Sequence, residues 1–314
     1  MLILNRLEDL ATLREPLHLA LGVFDGMHVG HQALISRAMQ AAEKGGGLAG
    51  LLTFDPHPCQ TTRPQQAPPS LFATLGHKAG IASDLGLGLF IAVHFDKAFA
   101  AMEAADFIKS LTVGPVRTIA VGEDWRFGRN RAGDIVMLAN EALKRGFLLE
   151  TVPAVMMDGE RISSTRIRQA IRDGNLTTAA RMLGRPYSIR NQVVQGEQLG
   201  RTLGFPTANI TIGDAQLPPN GVWAVRVRHD DGRAWDGVAN LGLRPTLGGE
   251  QNRLEVHLFD FSGDLYGQVL DVTFVSHLRN EEKFASLDAL KCQIVRDADA
   301  ARRILNSYSN QLTC

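Results

Sequence analysis

The sequence predicts two domains, an α/β domain with a parallel sheet over residues 1–184 and an antiparallel β-barrel domain with a terminal helix over residues 185–314. Three observations predict this organisation. Up to about residue 184, short apolar runs alternate with segments of helical periodicity, which is typical of parallel strands joined by helices. Beyond that point, short segments alternate apolar and polar residues between Gly, Pro, Asn and Asp, as in an antiparallel barrel. A length of 314 residues with 45% apolar content is sufficient for two hydrophobic cores.

The first domain is predicted to begin with the strand LHLALGVF and the helix HQALISRAMQAAEK. The runs GLAGLLTF, FIAVHF and VRTIAVG are the next expected strands, with helices over ATLGHKAGIASDL and AADFIKSL between them. Ligands of parallel sheets bind beyond the carboxyl ends of the strands, so the polar clusters after these runs form the candidate site. The proline-rich segment Arg63 to Ser70 follows one strand end, and it is either an inert connection or a substrate lid.

The second domain is predicted to begin after Gly184, where the pattern of the sequence changes. Its expected strands include GVWAVRVRH, RLEVHLFDF and QVLDVTFVSHL. From Glu281 onward the apolar residues return to helical spacing, which predicts a terminal helix packed on the barrel. The residues that carry this spacing are Phe284, Leu287, Leu290, Ile294 and Ile304.

Charge and cysteine content limit the classes of function. The 33 basic residues balance the 33 acidic ones, so no overall field favours nucleic acid or an anionic membrane. Cys59, Cys292 and Cys314 are odd in number and far apart, which fits neither a disulfide framework nor a zinc ligand set. The N-terminal residues are charged too soon for a signal peptide, and no apolar run reaches the roughly 18 residues that cross a bilayer. We therefore expect a cytoplasmic protein without nucleic-acid or membrane partners, and the sequence leaves a homo-oligomer open.

The most informative motif is the run LALGVFDGMHVGH from Leu19 to His31, which predicts a strand, a phosphate-binding turn and a helix. Glycines allow the backbone to approach an anion, and a helix opening at about His31 directs unpaired N–H groups and its positive dipole end at that anion. His28 and His31 share one face if the first helical turn includes both. Imidazoles there donate hydrogen bonds without a permanent charge, which suits nucleotidyl transfer. The alternative is an ordinary glycine-rich turn with two surface histidines.

Three further polar clusters follow expected strands of the first domain. Residues 53–58, TFDPHP, form a rigid turn or a ligand site around His57. Residues 122–134 interleave aromatic residues with arginines, which either hold a flat ring and a phosphate or form a solvated basic loop. Residues 162–168, ISSTRIR, place three hydroxyls before a helix predicted over RIRQAIRDG. One hydroxyl is explained as an N-cap, and all three with the arginines would complement a triphosphate.

The first motif fits the pattern G-x-F-D-G-x-H-x-G-H and resembles the His-x-Gly-His nucleotidyltransferase superfamily, in particular the adenylyltransferase half of bacterial bifunctional riboflavin kinase/FAD synthetases. The three further clusters match that family in order and spacing. The resemblance implies a Rossmann-like domain in which the FMN phosphate attacks the α-phosphorus of ATP and expels pyrophosphate, with His28 and His31 as catalytic residues. It implies a flavin side lined by His57, Asp124 and Trp125. The ATP-binding residues that it implies are Gly22, Phe24, Asp25, Gly26, His28, His31, Ser164, Thr165 and Arg168.

This reaction requires no general base, because its nucleophile is already an anion. Catalysis then reduces to alignment and charge stabilisation by the histidines, an arginine, the helix dipole and Mg²⁺. For the same reason, the domain needs neither a pair of catalytic carboxylates nor a Ser-His-Asp arrangement.

The second domain carries the run GRTLGFPTANI from Gly200 to Ile210. In an extended chain Thr207 and Asn209 face the same way, so their oxygens can share a hard cation that bridges nucleotide phosphates, or the run is a β-turn with an Asx cap. Glu255 lies in a predicted strand, where the ordinary interpretation is an exposed-face glutamate.

These segments, with Asn240 to Thr246 and Leu254 to Phe261, resemble the signature of riboflavin kinases. The resemblance implies that Glu255 is the general base that takes the proton from the terminal ribityl hydroxyl of riboflavin, since an alcohol is a poor nucleophile. It further implies that Arg244 contacts flavin and that Thr207 and Asn209 hold Mg²⁺. The implied ATP-binding residues of this domain are Gly200, Arg201, Gly204, Thr207 and Asn209.

The resemblance covers nearly all of the chain and implies a bifunctional enzyme that phosphorylates riboflavin to FMN and then adenylylates FMN to FAD, with ATP as co-substrate of both steps. Two alternatives remain open. One is adenylyl transfer to another phosphorylated cofactor precursor, because the His-x-Gly-His motif does not name the acceptor. The other is a flavin-binding or flavin-sensing protein with decayed sites. Release of pyrophosphate and ADP together with flavin products separates these classes.

Overall fold

The computed structural model describes residues 1–72, 74–196, 199–246 and 249–312, with the side chains of residues 199, 243–246, 249–251 and 309–312 outside this description. The chain divides into two compact units. The first comprises Met1–Ser70 and Leu75–Ser164, and the second comprises Leu71–Thr74 and Thr165–Cys314. No helix within the described ranges combines the length and the apolar character needed to cross a membrane.

The first unit is built on a parallel sheet. Its strands, among the described residues, are β1 (Leu2–Leu4), β2 (Leu17–Leu21), β3 (Leu48–Asp55), β4 (Leu89–His94), β5 (Val116–Gly122) and β6 (Leu148–Val152). They lie in the order β1-β4-β3-β2-β5-β6, and each neighbouring pair is parallel. Every residue of β2 is buried, as expected of an inner strand of a parallel sheet whose two faces are covered.

The helices of the first unit connect these strands. They are α1 (Val29–Gly45), α2 (Pro58–Thr62), α3 (Leu75–Asp84), α4 (Lys97–Ala100), α5 (Ala104–Leu111) and α6 (Ile135–Arg145), with short 3-10 helices at Leu7–Thr12, Pro64–Gln66 and Arg129–Arg131. Strand β2 pairs with β3 on one side and β5 on the other. Because all three strands are parallel, their carboxyl ends meet at one edge of the sheet. The polar clusters that follow them therefore lie at the same edge.

The second unit is a closed antiparallel barrel preceded by two helices. After the hairpin of β7 (Met156–Met157) and β8 (Glu160–Arg161), the chain forms α7 (Ser164–Arg172) and α8 (Leu176–Leu183). The barrel region then contains β9 (Ser188–Val194), α9 (Leu199–Thr202), β10 (Ala208–Ile210), β11 (Gly221–His229), β12 (Ala234–Thr246), β13 (Gly249–Leu258) and β14 (Val269–Arg279). The barrel order is β10-β13-β12-β11-β14-β9, and pairing of β9 with β10 closes it.

The terminal helix α10 (Leu287–Leu312) packs on the barrel. Ala301 and Leu305 are fully buried against Val222 and Ala224 of β11. The helix is also joined to the end of β14, where Arg279 Nη2 lies 2.8 Å from Asp297 Oδ2 in a largely buried ion pair.

The predicted architecture is confirmed: a parallel α/β sheet precedes an antiparallel barrel with a terminal helix. Two predicted helix starts differ from the structure, because α1 begins at Val29 rather than at about His31, and α7 begins at Ser164 rather than Arg166. The proline-rich segment contains the 3-10 helix Pro64–Gln66. Since α7 and α8 fall largely in the second compact unit, the functional boundary at residue 184 stays a prediction.

Candidate active sites

The turn between β2 and α1, residues 22–28, has an unusual backbone. Phe24 and Met27 adopt positive φ angles of 50° and 41°, and Gly26 has φ of 85°. Positive φ costs roughly 1–3 kcal/mol for residues with side chains, so the surroundings must hold the turn in place. The side chains of Phe24 and Met27 are completely buried, and their packing contributes to stabilising the turn.

Two glycines leave room for rings around this turn. A Cβ on Gly22 would lie 3.2 Å from the ring of Phe24, and a Cβ on Gly30 would lie 3.2 Å from the ring of His28. Both distances are tighter than ordinary van der Waals contact. The glycines therefore permit the aromatic and imidazole rings to pack directly on the backbone.

His28 and His31 form a stacked pair at the start of α1. His28 is the N-cap residue, and its Nδ1 accepts a hydrogen bond of 3.3 Å from the backbone N–H of His31. The two ring centroids are 3.6 Å apart with an interplanar angle of 15°. Burial, then the nearby charges of His28, Lys78 and Arg161, lower the pKa of His31 well below its usual value. His31 is therefore neutral at physiological pH, and its buried Nδ1 has no hydrogen-bond partner among the described residues.

Two serines contact Asp25, a buried residue of this turn. Ser164 Oγ donates a hydrogen bond of 2.9 Å to the backbone carbonyl of Asp25. Ser70 Oγ approaches Asp25 Oδ1 at 3.5 Å. The structure thus joins Ser164, the first residue of α7, to the first motif. Thr165 and Arg168 continue α7 beyond Ser164, and Arg168 is buried.

A buried lysine lies behind the same turn. Lys78 of α3 donates hydrogen bonds from Nζ to the carbonyl oxygen of Val23 at 3.1 Å and to Thr53 Oγ1 at 3.2 Å. Thr53 also donates to the Val23 carbonyl at 2.7 Å. Lys78 was not among the predicted site residues, and Thr53 was named only as the first residue of the cluster 53–58, although its hydroxyl follows the apolar run LAGLL. A lysine on a predicted helix gives no such signal, because most helical lysines are solvated.

The predicted flavin side begins at the ends of β3 and β5. His57 is the N-cap of α2, where its Nδ1 accepts from the backbone N–H of Cys59 at 3.1 Å. Asp124 is held by Arg161, whose guanidinium donates bonds of 2.6 and 3.2 Å to its two carboxylate oxygens. The hydrogen bond from Arg161 lowers the pKa of Asp124. Arg161 was not among the predicted site residues.

Trp125 is part of an aromatic cluster rather than a free ring. Its ring stacks on Phe127 with centroids 4.6 Å apart and lies 6.2 Å from the ring of Phe107. Phe107 and Phe127 are themselves buried in the core of the first unit. Any contact of Trp125 with a flavin would therefore use the part of the ring that this cluster leaves accessible.

In the second unit, the segment 200–209 folds back on itself before it enters the barrel. The backbone N–H of Phe205 donates to the carbonyl of Gly200 at 2.8 Å, and a Cβ on Gly200 would collide with the Phe205 carbonyl. Gly204 has φ of 90°, which only glycine adopts easily. These two glycines set the path that places Thr207 directly before β10.

A row of polar residues crosses three strands of the barrel. Asn209 of β10 pairs directly with Glu255 of β13, and Glu255 pairs directly with Asn240 of β12. Residues directly opposite in antiparallel strands project to the same face. Leu254 and Val256 on either side of Glu255 are fully buried, so the row lies on the outer face of the barrel.

Glu255 and Asn209 in this row differ in their side-chain hydrogen bonds. Arg253, two residues before Glu255, donates from Nη1 to Glu255 Oε1 at 3.1 Å. Asn209 is buried, and its Oδ1 has no hydrogen-bond partner among the described residues. An unpaired buried carbonyl oxygen is costly unless a ligand or cation completes it.

A groove of about 280 Å³ lies beside Thr207. Arg201, Pro206 and Thr207 contribute to its wall, together with residues 261–266. His257 fixes the Pro206 wall through a 2.9 Å hydrogen bond between its Nδ1 and the Pro206 carbonyl. Sequence analysis missed His257. Arg244 lies on β12, and its side chain falls outside the described part of the chain.

Comparisons with known proteins match both units. A family model described as FAD synthetase matches residues 11–166, and one described as riboflavin kinase matches residues 183–305. The chain is 41% identical over 286 residues to the bifunctional riboflavin kinase/FMN adenylyltransferase of Escherichia coli strain K12, covering 90% of this chain and 91% of that protein. It is 40% identical over 291 residues to the protein of that name from Haemophilus influenzae, with coverages of 92% and 94%.

A solved structure also resembles the whole chain. The crystal structure described as that of a macrolide-efflux protein from Streptococcus pneumoniae matches with a TM-score of 0.80 and 31% sequence identity. The match covers 96% of this chain and 98% of that one.

Proposed function

The chain belongs to the bifunctional riboflavin kinase/FMN adenylyltransferase family, and from that premise we propose which of its residues carry out the two reactions. The barrel domain phosphorylates riboflavin to FMN with ATP, and the α/β domain transfers the adenylyl group of ATP to FMN with release of pyrophosphate. The expected fold and pair of activities are thus confirmed at the level of the family. The roles of individual residues remain proposals.

In the α/β domain, the proposed ATP phosphate site is the turn of residues 22–28 with the stacked histidines. The observation that carries this proposal is the buried Nδ1 of His31, which has no hydrogen-bond partner among the described residues. Burial lowers the pKa of His31, which favours the neutral imidazole. A neutral imidazole beside the N–H groups of a helix start stabilises charge that grows on the phosphates during reaction. His28 and His31 are accordingly the proposed catalytic residues. The other proposed ATP contacts are Gly22, Phe24, Asp25, Gly26, Ser164, Thr165 and Arg168.

The proposed flavin contacts of this domain are His57, Asp124 and Trp125. Their support is position, since each follows β3 or β5 at the sheet edge where the turn lies. The FMN phosphate attacks as an anion, so these residues have only to orient it.

In the barrel domain, Glu255 is the proposed general base for the ribityl hydroxyl of riboflavin. Its carboxylate projects from the outer face of β13 and is about one-third exposed, so a substrate can reach it. Arg244 is the proposed flavin contact. The proposed ATP contacts are Gly200, Arg201, Gly204, Thr207 and Asn209, of which Arg201 and Thr207 line the groove.

The residues present in the barrel fit Mg²⁺. Asn209 presents a buried carbonyl oxygen without a partner among the described residues, and Thr207 lies two positions before it with a hydroxyl. Oxygen donors of this type are what Mg²⁺ prefers, usually together with phosphates and water. Mg²⁺ held there would neutralise charge on the transferred phosphate.

We propose residue 184 as the functional boundary, since the model for riboflavin kinase begins at residue 183. A cytoplasmic location and the absence of nucleic-acid and membrane partners are proposed on the equal numbers of acidic and basic residues and the unpaired Cys59 and Cys292. Whether copies of the chain associate is left to measurement of the mass in solution.

The proposal is tested by incubating the purified protein with riboflavin, ATP and Mg²⁺ and following flavins, ADP and pyrophosphate by chromatography. FMN and ADP are expected first, followed by FAD and pyrophosphate, and chelation of Mg²⁺ is expected to stop both steps. Accumulation of FMN without FAD would contradict the assigned acceptor of the α/β domain. No conversion would contradict both sets of site residues.

A further inference from the structure

Lys78 is a buried cation that has no role among the residues proposed for the two reactions. Its side chain is 9% exposed, and α3, on which it lies, carries none of the proposed substrate contacts. Lysines are almost never buried without a charge partner or a function, because removing an ammonium group from water is expensive. An apolar residue would fill the same space without that cost.

The hydrogen bonds of Lys78 join the carboxyl ends of two strands. The Val23 carbonyl, which follows β2, accepts from both Lys78 Nζ at 3.1 Å and Thr53 Oγ1 at 2.7 Å. Thr53 belongs to β3 and itself accepts from Lys78 at 3.2 Å. The three groups therefore form a closed triangle at the sheet edge.

This triangle lies at the entrance of the strained turn. Val23 directly precedes Phe24, the first of the three buried residues of the turn with positive φ. The two hydrogen bonds to the Val23 carbonyl fix the orientation of the peptide that leads into the positive-φ turn. Strained backbone persists only where its surroundings over-determine it.

The charge of Lys78 also acts on groups at both sides of the turn. The carboxylates of Asp25 and Asp55 oppose the lowering of the Lys78 pKa by burial. In the other direction, Lys78 contributes to the lowering of the pKa of His31. Lys78 thus acts on both the backbone of the turn and the protonation of the histidine beyond it.

We propose that Lys78 is a positioning residue of the adenylyl-transfer site, which holds residues 22–28 in the shape that receives the nucleotide phosphates by bonding Val23 and Thr53. The inference rests on the proposed phosphate site. In this role Lys78 affects the reaction through the backbone of residues 22–28 and does not contact the substrate.

The test compares the wild-type protein with K78M, T53V and the matched control K97M, which removes an exposed lysine of the same domain. For each protein, kcat and the KM for ATP are measured for FAD formation from supplied FMN. Phosphorylation of riboflavin by the other domain reports whether the chain is folded. The titration of His31 is followed by NMR of ¹³C-labelled histidine.

K78M is expected to lower kcat/KM for FAD formation about 100-fold, mostly through kcat, because misplacement of aligned groups costs this order of rate. The pKa of His31 is expected to rise when the neighbouring cation is removed. T53V keeps the cation and its hydrogen bond to the Val23 carbonyl but removes the two hydrogen bonds made by Thr53, so we expect a decrease of about tenfold with the His31 titration unchanged. K97M is expected to behave as wild type in every measurement.

The proposal is overturned if K78M forms FAD with wild-type kcat/KM, or if the His31 titration does not move. If K78M also loses riboflavin phosphorylation, T53V decides, and wild-type FAD formation by T53V overturns the proposal. The variant H28A/H31A separates this inference from the proposed function. Loss of FAD formation in H28A/H31A with full activity in K78M removes only the role of Lys78, whereas full activity in H28A/H31A removes the phosphate site itself.

Discussion

The two proposed phosphate-transfer sites of this chain differ in the groups that form them. The proposed site of the α/β domain is a turn with three positive-φ residues, Phe24, Gly26 and Met27, closed by stacked imidazoles. The proposed site of the barrel domain contains Asn209 and Glu255, which strand pairing holds in one row with Asn240. The first arranges backbone N–H groups and neutral donors, whereas the second presents a carboxylate.

The difference follows the chemistry of the nucleophile. FMN brings a phosphate that is already charged, so the α/β domain needs donors to growing negative charge and no base. Riboflavin brings an alcohol, which must lose its proton, so the barrel domain needs a positioned carboxylate. If the proposed residue roles hold, the acceptor, rather than the shared donor ATP, decides what kind of residue is placed at each site.

The strongest test of this division removes both imidazoles. In H28A/H31A, FAD formation from FMN is expected to fall by about 10⁴-fold, since a preorganised donor to a developing charge is worth about 10²–10³ in kcat. FMN should then accumulate when riboflavin is supplied, because the barrel domain is untouched. Rapid-quench measurement of both products checks this. Continued FAD synthesis would place the phosphate site elsewhere.

The reciprocal test replaces the carboxylate of Glu255 by an amide of nearly the same shape. E255Q is expected to lower the rate of FMN formation from riboflavin by about 10³-fold, within the usual contribution of a general base. FAD formation from supplied FMN should be unchanged, which serves as the internal control. Equal loss of both activities would contradict the division between the domains.

A smaller effect is expected from a single methyl group beside the histidine pair. In G30A, the added Cβ would lie 3.2 Å from the His28 ring, which is already stacked on His31. A shift of the ring by tenths of an ångström should lower kcat for FAD formation about tenfold, given the sensitivity of aligned groups. The matched control is G45A on the same helix, whose Cβ would meet its nearest atom, in His18, at an ordinary 3.4 Å. Equal kcat values for G30A and G45A would show that the ring has room to move.

Sequence patterns predict the fold well where local periodicity reports burial. The run VRTIAVG is β5 from its first to its last residue, and GVWAVRVRH is β11. The strand order is not encoded in this way, and the placement of β1 beside β4 depends on packing between distant segments. The terminal helix packs through Ala301 and Leu305, while Leu287, named for its helical spacing, is 61% exposed.

The site is predictable only where its residues belong to a dense motif. The turn with its glycines and histidines stands out because few folds need that combination in ten residues. Lys78, Arg161 and His257 do not stand out, since each acts through a contact with a residue distant in sequence. Such partners become visible only when strand order and helix packing are known.

The strands of the barrel pair in a closed circle, so the position of Glu255 is set by its pairing with β10 and β12 and does not depend on the length of the connecting loops. A slip of one residue along β13 would turn Glu255 into the core and Leu254 out of it, and a barrel with no free edge offers no room for that slip. The hairpin between His229 and Ala234 joins β11 to β12 at a point that contributes nothing to the polar row. For protein engineering, this hairpin is a place to insert a reporter peptide or to move the chain termini while strand pairing keeps the spacing of the polar row.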